Sequence, residues 1–243
     1  MPCLEDMNDP TIIGIPDGAV RLTGEWRLPK AVHGVILFAH GSGSNRSSRR
    51  NRRVAETLRA KGYGTLLFDL LTEAEDRELR FRFDIDRLAR RLVAATRWAA
   101  VQEEAVGMPL GYFGASTGAA AALRAAADLG PMVGAVVSRG GRPDLAAGSL
   151  ARILAPTLLI VGAQDPEVLE LNREAALRLR CPNRLTVIPG ASHLFEEPGT
   201  LEEVQRLATE WFDRYLPEAA PPPAAARARN RGGGAASAPV ARR

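Results

Sequence analysis

The chain has 243 residues, of which 46% are hydrophobic, and a formal net charge of +4. This length suits one well-filled α/β domain. Residues 217–243 carry five arginines and one glutamate, which accounts for the whole net charge, so the remainder is neutral and nucleic-acid binding by the whole protein is not favoured.

The amino terminus, MPCLEDMNDP, contains acidic residues and no apolar core of signal-peptide length. No stretch of the chain reaches the roughly 18 apolar residues of a membrane span. The two cysteines, Cys3 and Cys181, lie far apart, which argues against a disulfide framework or a clustered metal site. We therefore expect a cytoplasmic protein without a membrane partner.

The first elements read as a hairpin followed by a buried strand. Residues 11–15 and 20–28 flank the turn signal Asp17-Gly18, and GVILFA at residues 34–39 is apolar throughout. The strand ends in the loop His40-Gly41-Ser42-Gly43-Ser44, whose glycines let backbone N–H groups point outward. Such a loop can form half of an oxyanion hole, and the N–H of Ser42 is the candidate donor. His40 is expected to orient the loop.

A basic run at residues 45–53 opens the next helix, which extends to about residue 60. Its apolar spacing indicates an amphipathic helix with a charged outer face rather than a phosphate-binding segment. GTLLFDLL at residues 64–71 predicts a second buried strand, residues 72–82 a loop near the site, and residues 84–101 a helix.

The stretch Gly114-Ala115-Ser116-Thr117-Gly118 joins an apolar run at residues 110–113 to an Ala/Leu-rich helix. A strand, a very tight turn and a helix in this order are typical of a nucleophile elbow. We predict that Ser116 is the nucleophile and that the N–H of Thr117 is the second oxyanion donor. The alternative is a glycine-rich loop, for instance a phosphate-binding one.

Residues 132–138 predict the next strand, which leads into a loop with two arginines, Arg139 and Arg142. The loop lies at the strand ends, where α/β proteins bind ligands, so either arginine could hold a substrate carboxylate. The alternative is an ion pair that braces the loop, for example with Asp144. Residues 139–155 are too few to form a cap domain, so an open, shallow site is expected.

The strand at residues 156–161 leads to Asp165, and the strand at residues 184–188 to His193. In the order Ser, acid, His of this kind of site, His193 is the one histidine after Ser116 in the sequence, so it is the predicted base. Asp165 is the predicted acid and Asp144 its competitor. A last helix is predicted over residues 201–215, which completes a domain over residues 1–216. Residues 217–243, rich in Pro, Ala, Gly and Arg, are predicted to be disordered.

The ordered set HGSGS, GASTG, GAQD and GASH resembles the α/β-hydrolase superfamily and, within it, the dienelactone-hydrolase-like group. FAHGSGSNRSSRRNR, FGASTGAAAAL and VVSRGGRPDL are similar to hydrolase domains that also occur joined to phosphoribosyltransferase domains, although no such domain is recognisable here. The resemblance covers about residues 20–216. It implies an α/β-hydrolase fold, with a mostly parallel twisted sheet of about eight strands and helices on both faces. Dienelactone hydrolases proper carry cysteine where this chain has Ser116, so dienelactone itself is not implied as the substrate.

Together the residues and the resemblance predict a serine esterase that cleaves a small ester or lactone with the triad Ser116, Asp165 and His193 and the oxyanion donors Ser42 and Thr117. No metal or organic cofactor is needed for this chemistry. Two alternatives remain open: a non-catalytic binding or regulatory module of the same fold, and an enzyme of the same fold that cleaves thioesters or peptides. The sequence carries no signal for the oligomeric state.

Overall fold

The computed structural model describes residues 10–216, which contain one eight-stranded sheet. The strands are β1 (Thr11–Asp17), β2 (Val20–Arg27), β3 (Gly34–Ala39), β4 (Tyr63–Phe68), β5 (Leu110–Ala115), β6 (Val133–Arg139), β7 (Thr157–Gly162) and β8 (Asn183–Ile188). Their order in the sheet is β1-β2-β4-β3-β5-β6-β7-β8. Strands β1 and β2 form an antiparallel hairpin, β2 pairs antiparallel with β4, and all remaining pairs are parallel.

Residues 10–216 contain seven α-helices, and the five longer ones cover both faces of the sheet. The seven helices are α1 (Arg49–Ala60), α2 (Glu73–Asp76), α3 (Leu79–Arg82), α4 (Ile85–Ala100), α5 (Thr117–Leu129), α6 (Pro166–Arg178) and α7 (Thr200–Tyr215). The apolar side chains of α1 and α7 form one core with one face, and those of α4, α5 and α6 form another with the opposite face. The predicted α/β-hydrolase fold, with its mostly parallel sheet and two helical layers, is confirmed.

The central strands are buried because both faces of the sheet are covered. Every residue of β3, β4, β5 and β7 is buried, which explains their nearly continuous apolar sequences. Strand β8 lies at the sheet edge and is only partly buried. None of the helices among residues 10–216 is long and apolar enough to cross a bilayer.

Two predictions about connections have different outcomes. The predicted loop at residues 72–82 is wrong in part, because it contains the short helices α2 and α3. Thr72 and Glu75 form a reciprocal capping box that starts α2. Between β6 and β7 the chain forms only 3₁₀ turns, at Pro143–Ala146 and Leu150–Arg152, so no cap domain is inserted there. The predicted disordered tail, residues 217–243, lies outside the described residues.

Candidate active site

Ser116 occupies a strained turn between β5 and α5. Its φ of 51° and ψ of −122° are unusual for a residue with a side chain. The neighbouring glycines are required by close backbone approaches: a Cβ on Gly118 would lie 2.2 Å from the carbonyl oxygen of Ala39, and one on Gly114 would lie 2.5 Å from Cα of Ala119. This is the geometry of a nucleophile elbow, which raises the serine above the end of its strand.

Hydrogen bonds from the neighbouring strand hold this turn in place. The backbone N–H of Ser116 donates to the carbonyl oxygen of Arg139 at 3.2 Å, and the N–H of Arg142 donates to the carbonyl oxygen of Ser116 at 3.2 Å. The end of β6 therefore fixes the elbow on both sides. Among residues 10–216, Ser116 forms hydrogen bonds only through its backbone, so its hydroxyl is available for a substrate.

Asp165 and His193 meet at the ends of β7 and β8. Nδ1 of His193 lies 2.6 Å from Oδ2 of Asp165. Because a carboxylate only accepts, Nδ1 carries a proton, and in the neutral imidazole Nε2 is therefore the acceptor nitrogen. The two loops come together because a backbone hydrogen bond from Gln164 N to Ala191 O, 2.9 Å long, joins them. The side chain of Asp165 is 15% exposed and that of His193 is 38% exposed, so the acid is shielded while the base is open to solvent.

His193 also lies next to the elbow. A Cβ built on Gly140 would be 3.5 Å from both Nδ1 and Cε1 of the imidazole. Gly140 directly follows Arg139, whose carbonyl oxygen holds the N–H of Ser116. The structure thus brings the three predicted triad residues to one place at the carboxyl edge of the sheet.

The loop after β3 passes directly against the elbow. A Cβ on Gly41 would lie 3.0 Å from Cβ of Ser116 and 3.7 Å from its Oγ. The N–H of Ser42 donates to Oγ1 of Thr117 at 2.8 Å. The two residues predicted to supply the oxyanion donors are therefore in contact, but sequence reasoning missed that the N–H of Ser42 is bonded to the Thr117 hydroxyl.

The side chain of His40 connects the loop after β3 with the end of β4. Its Nε2 accepts from the N–H of Leu70 at 3.0 Å, so Nδ1 carries the proton and donates to the carbonyl oxygen of Gly41 at 3.1 Å. Burial lowers the pKa of His40, which keeps the imidazole neutral. This arrangement agrees with the loop-orienting role expected from the sequence.

The two arginines after β6 have different surroundings. Nε and Nη2 of Arg142 donate to both carboxylate oxygens of Asp144, at 2.9 and 2.8 Å. This pair raises the pKa of Arg142 and occupies Asp144, the competing acid. The sequence predicted Arg139 on the loop after the strand, and this is wrong, because Arg139 is the last residue of β6. Its side chain is buried, with only 8% of the residue exposed.

Arg139 points to the face of the sheet that α1 and α7 cover, because Ala135 and Val137 at the same strand period belong to that core. Its Cζ lies 5.8 Å from the ring centroid of Phe195, which is buried and has a φ of 54°. Sequence reasoning missed Phe195, and its place two residues after His193 was the available signal. Within residues 10–216, no group of three or more His, Cys, Asp or Glu side chains could hold a metal ion.

Several known proteins are similar to this chain. The family model of the dienelactone hydrolase family matches residues 22–216. A protein named "Putative phosphoribosyl transferase" in two strains of Mycobacterium tuberculosis is 56% identical over 199 residues, which are 82% of this chain and 45% of that protein. The chain therefore spans less than half the length of these curated relatives.

Solved structures extend the comparison. A dienelactone hydrolase from Anabaena variabilis is 50% identical, with a TM-score of 0.83, over 87% of this chain and all of that one. Est1E from Butyrivibrio proteoclasticus is 16% identical, with a TM-score of 0.73, over 84% of this chain and 98% of that one, and so shares the fold. With the family model matched over most of the chain, the protein belongs to the dienelactone hydrolase family of α/β hydrolases.

Proposed function

We propose that the protein is a serine hydrolase that cleaves a small ester or lactone through an acyl-enzyme. The observation that carries this proposal is the 2.6 Å contact between His193 and Asp165 beside a serine in nucleophile-elbow geometry. Membership of a hydrolase family supports the reaction type. The ester specificity and the roles of the individual residues are our inference from the geometry.

In the first half-reaction, Nε2 of His193 takes the proton from Oγ of Ser116 as this oxygen attacks the substrate carbonyl. Asp165 accepts the hydrogen bond from Nδ1 and stabilises the imidazolium that forms. When the tetrahedral intermediate collapses, the bond to the alcohol oxygen breaks and His193 returns the proton to it. Water then attacks the acyl-enzyme by the same steps, which release the acid and restore the serine.

The negative charge of the tetrahedral intermediate would be held by the backbone N–H groups of Ser42 and Thr117. In the resting protein the N–H of Ser42 already donates to the Thr117 hydroxyl. A neutral hydroxyl is a weaker acceptor than an oxyanion, so the N–H gains more from the transition state than it loses from its resting partner.

The open surroundings of the site favour small, soluble substrates. His193 is more than one-third exposed, and the connection from β6 to β7 contains only 3₁₀ turns. A site of this kind buries little of a long acyl chain, so chain length should add little to binding. We therefore expect the highest turnover with short-chain esters or lactones.

The test is labelling with a fluorophosphonate, followed by turnover of p-nitrophenyl esters of increasing chain length and of a small lactone. The wild-type protein should be labelled at Ser116, and Ser116→Ala should lose both labelling and turnover while keeping its melting temperature. Ser47→Ala, which changes an exposed serine of the loop before α1, is the control. Labelling that survives in Ser116→Ala would refute the proposal.

A further inference from the structure

The hydroxyl of Thr117 lies beside the backbone donor that the loop after β3 supplies. Thr117 is buried, with 3% of the residue exposed. Its Oγ1 accepts the N–H of Ser42 at 2.8 Å, and this is the one hydrogen bond of the hydroxyl within residues 10–216. Oγ1 is thus used as an acceptor. A hydroxyl can also donate, and the proton of this one has no acceptor among the described residues.

The backbone of the same residue is placed to bind a negative oxygen. Thr117 is the first residue of α5, and the first N–H groups of a helix have no carbonyl partner within the helix. The positive end of the helix dipole lies at this N–H and attracts negative charge. Thr117 therefore carries two donors, its N–H and its hydroxyl, directly after the nucleophile Ser116.

The position of the Thr117 hydroxyl relative to the loop is fixed by backbone packing on both sides. A Cβ on Gly41 would lie 3.0 Å from Cβ of Ser116 and 3.7 Å from its Oγ. A Cβ on Gly118 would lie 2.2 Å from the carbonyl oxygen of Ala39. The loop and the elbow are therefore in van der Waals contact around the reacting serine, so the contact between Ser42 and Thr117 does not depend on a mobile segment.

An oxyanion that binds to the N–H of Ser42 must meet the Thr117 hydroxyl. This N–H already points at Oγ1, so an oxygen that shares or takes over the donor lies in contact with Oγ1. Two oxygen atoms in contact repel unless one of them directs a proton at the other. The hydroxyl can rotate its proton toward the negative oxygen, and a hydrogen bond from O–H to an anionic oxygen is stronger than one between neutral groups.

We propose that the Thr117 hydroxyl is a third donor of the oxyanion hole, beside the backbone N–H groups of Ser42 and Thr117. This inference rests on the proposed function and adds a catalytic side chain to it. As the ester carbonyl oxygen gains negative charge, the hydroxyl turns its proton to that oxygen and keeps it. The hydrogen bond forms with the tetrahedral intermediate and weakens when the intermediate collapses, so it favours the transition state over the substrate.

The opposite role for this hydroxyl predicts a change of opposite sign. If Oγ1 only competes for the N–H of Ser42, Thr117→Val frees that N–H and turnover stays equal or rises. If the hydroxyl donates to the oxyanion, Thr117→Val should lower kcat/KM for p-nitrophenyl acetate about tenfold to hundredfold, the value of a charge-assisted hydrogen bond. Thr117→Ser, which keeps the hydroxyl, should recover most of this loss.

Inhibitor binding separates the transition state from the ground state. A trifluoromethyl ketone adds to Oγ of Ser116 and places a negative oxygen in the hole, whereas the matching methyl ketone binds as a neutral carbonyl. In Thr117→Val the inhibition constant of the first should rise by the factor by which kcat/KM falls, and that of the second should stay within a fewfold. Thr209→Val is the matched control, because it removes a buried hydroxyl of α7 that donates to the carbonyl oxygen of Gln205 at 2.8 Å. It should change neither constant.

The outcomes separate this inference from the proposed function. A wild-type protein that fluorophosphonate does not label would refute the serine hydrolase, and this inference with it. If the wild type is labelled and Thr117→Val retains kcat/KM and the affinity for the trifluoromethyl ketone, the hydroxyl is not a donor and the proposed function stands. Should Thr117→Val fail to fold, Thr117→Ala and Thr117→Ser carry the test, since both side chains are smaller than threonine. Equal kcat/KM in these two variants would then overturn the inference.

Discussion

The acid of the triad can be tested by replacing Asp165 with asparagine. The carboxylate of Asp165 accepts the hydrogen bond from Nδ1 of His193 at 2.6 Å and is only 15% exposed, so water does not readily take its place. An asparagine amide of the same shape can instead donate to Nδ1, which moves the imidazole proton to Nε2 and removes the base that faces Ser116.

In a triad this change lowers kcat by about four orders of magnitude. His193 is 38% exposed, so solvent can support part of the lost charge stabilisation, and we expect a loss of about 10³- to 10⁴-fold. That corresponds to roughly 4 to 5.5 kcal/mol of transition-state stabilisation.

The assay is kcat/KM with p-nitrophenyl acetate together with the rate of fluorophosphonate labelling, both of which depend on the same base. The melting temperature of Asp165→Asn should stay within a few degrees of the wild type. Asp144→Asn is the matched control: it breaks the pair with Arg142 but should leave both rates within a fewfold. If Asp144→Asn caused the large loss and Asp165→Asn did not, the assignment of the acid would be wrong.

Three further predictions concern the fold around the site. Gly118→Ala should destabilise the protein by more than about 2 kcal/mol in denaturant unfolding, because the new Cβ meets the carbonyl oxygens of Ala39 and His40 at 2.2 and 2.3 Å, whereas Gly148→Ala, which meets nothing within 4 Å, should be neutral. Burial lowers the pKa of His40, so this imidazole binds its proton near pH 6.5 in the unfolded chain and only at lower pH in the folded protein. Below pH 6.5 the free energy of unfolding should therefore fall by at most about 1.4 kcal/mol per pH unit, and above pH 6.5 the contribution of His40 should be constant. In His40→Gln this pH dependence should disappear. A chain that ends at Leu216 should keep the melting temperature and the ester activity, since residues 217–243 offer little apolar surface to bury; a clear drop in either would show that they dock.

Some features of the fold and of the site could be predicted because a short stretch of sequence encodes them. The buried strands could be predicted, because short runs of consecutive apolar residues, such as VILFA in β3 and LLIV in β7, fit a sheet covered on both faces. The proximity of Ser116, Asp165 and His193 could also be predicted, because each follows a strand and the carboxyl ends of parallel strands meet at one edge of the sheet. The short helix α2 was predicted as a loop, although Thr72 and Glu75 have the spacing of a capping box, which is a sequence signal for a helix start.

Other features depended on the three-dimensional arrangement. The hydrogen bond from Ser42 N to the Thr117 hydroxyl joins residues far apart in sequence through loop conformations that no periodicity encodes. The face of the sheet to which Arg139 points follows from its strand register, since Ala115 pairs with it and a shift by one residue would turn its side chain to the opposite face. Nε and Nη1 of Arg139 are buried without a hydrogen-bond partner among residues 10–216, which becomes visible only when all neighbouring acids have been placed.

The end of β6 supports the elbow through its backbone, while the side chain of Arg139 is one of the two predicted from the sequence to hold a substrate carboxylate. The backbone of residues 139–142 holds Ser116 on both sides and leaves room for His193 at Gly140, while the Arg139 side chain turns away toward α1. Backbone and side chain of Arg139 therefore have separable roles. A substitution of its side chain that preserves the backbone should change the selectivity between charged and neutral esters, whereas a change at Gly140, with its φ of 51°, should disturb the elbow and lower the turnover of every ester alike.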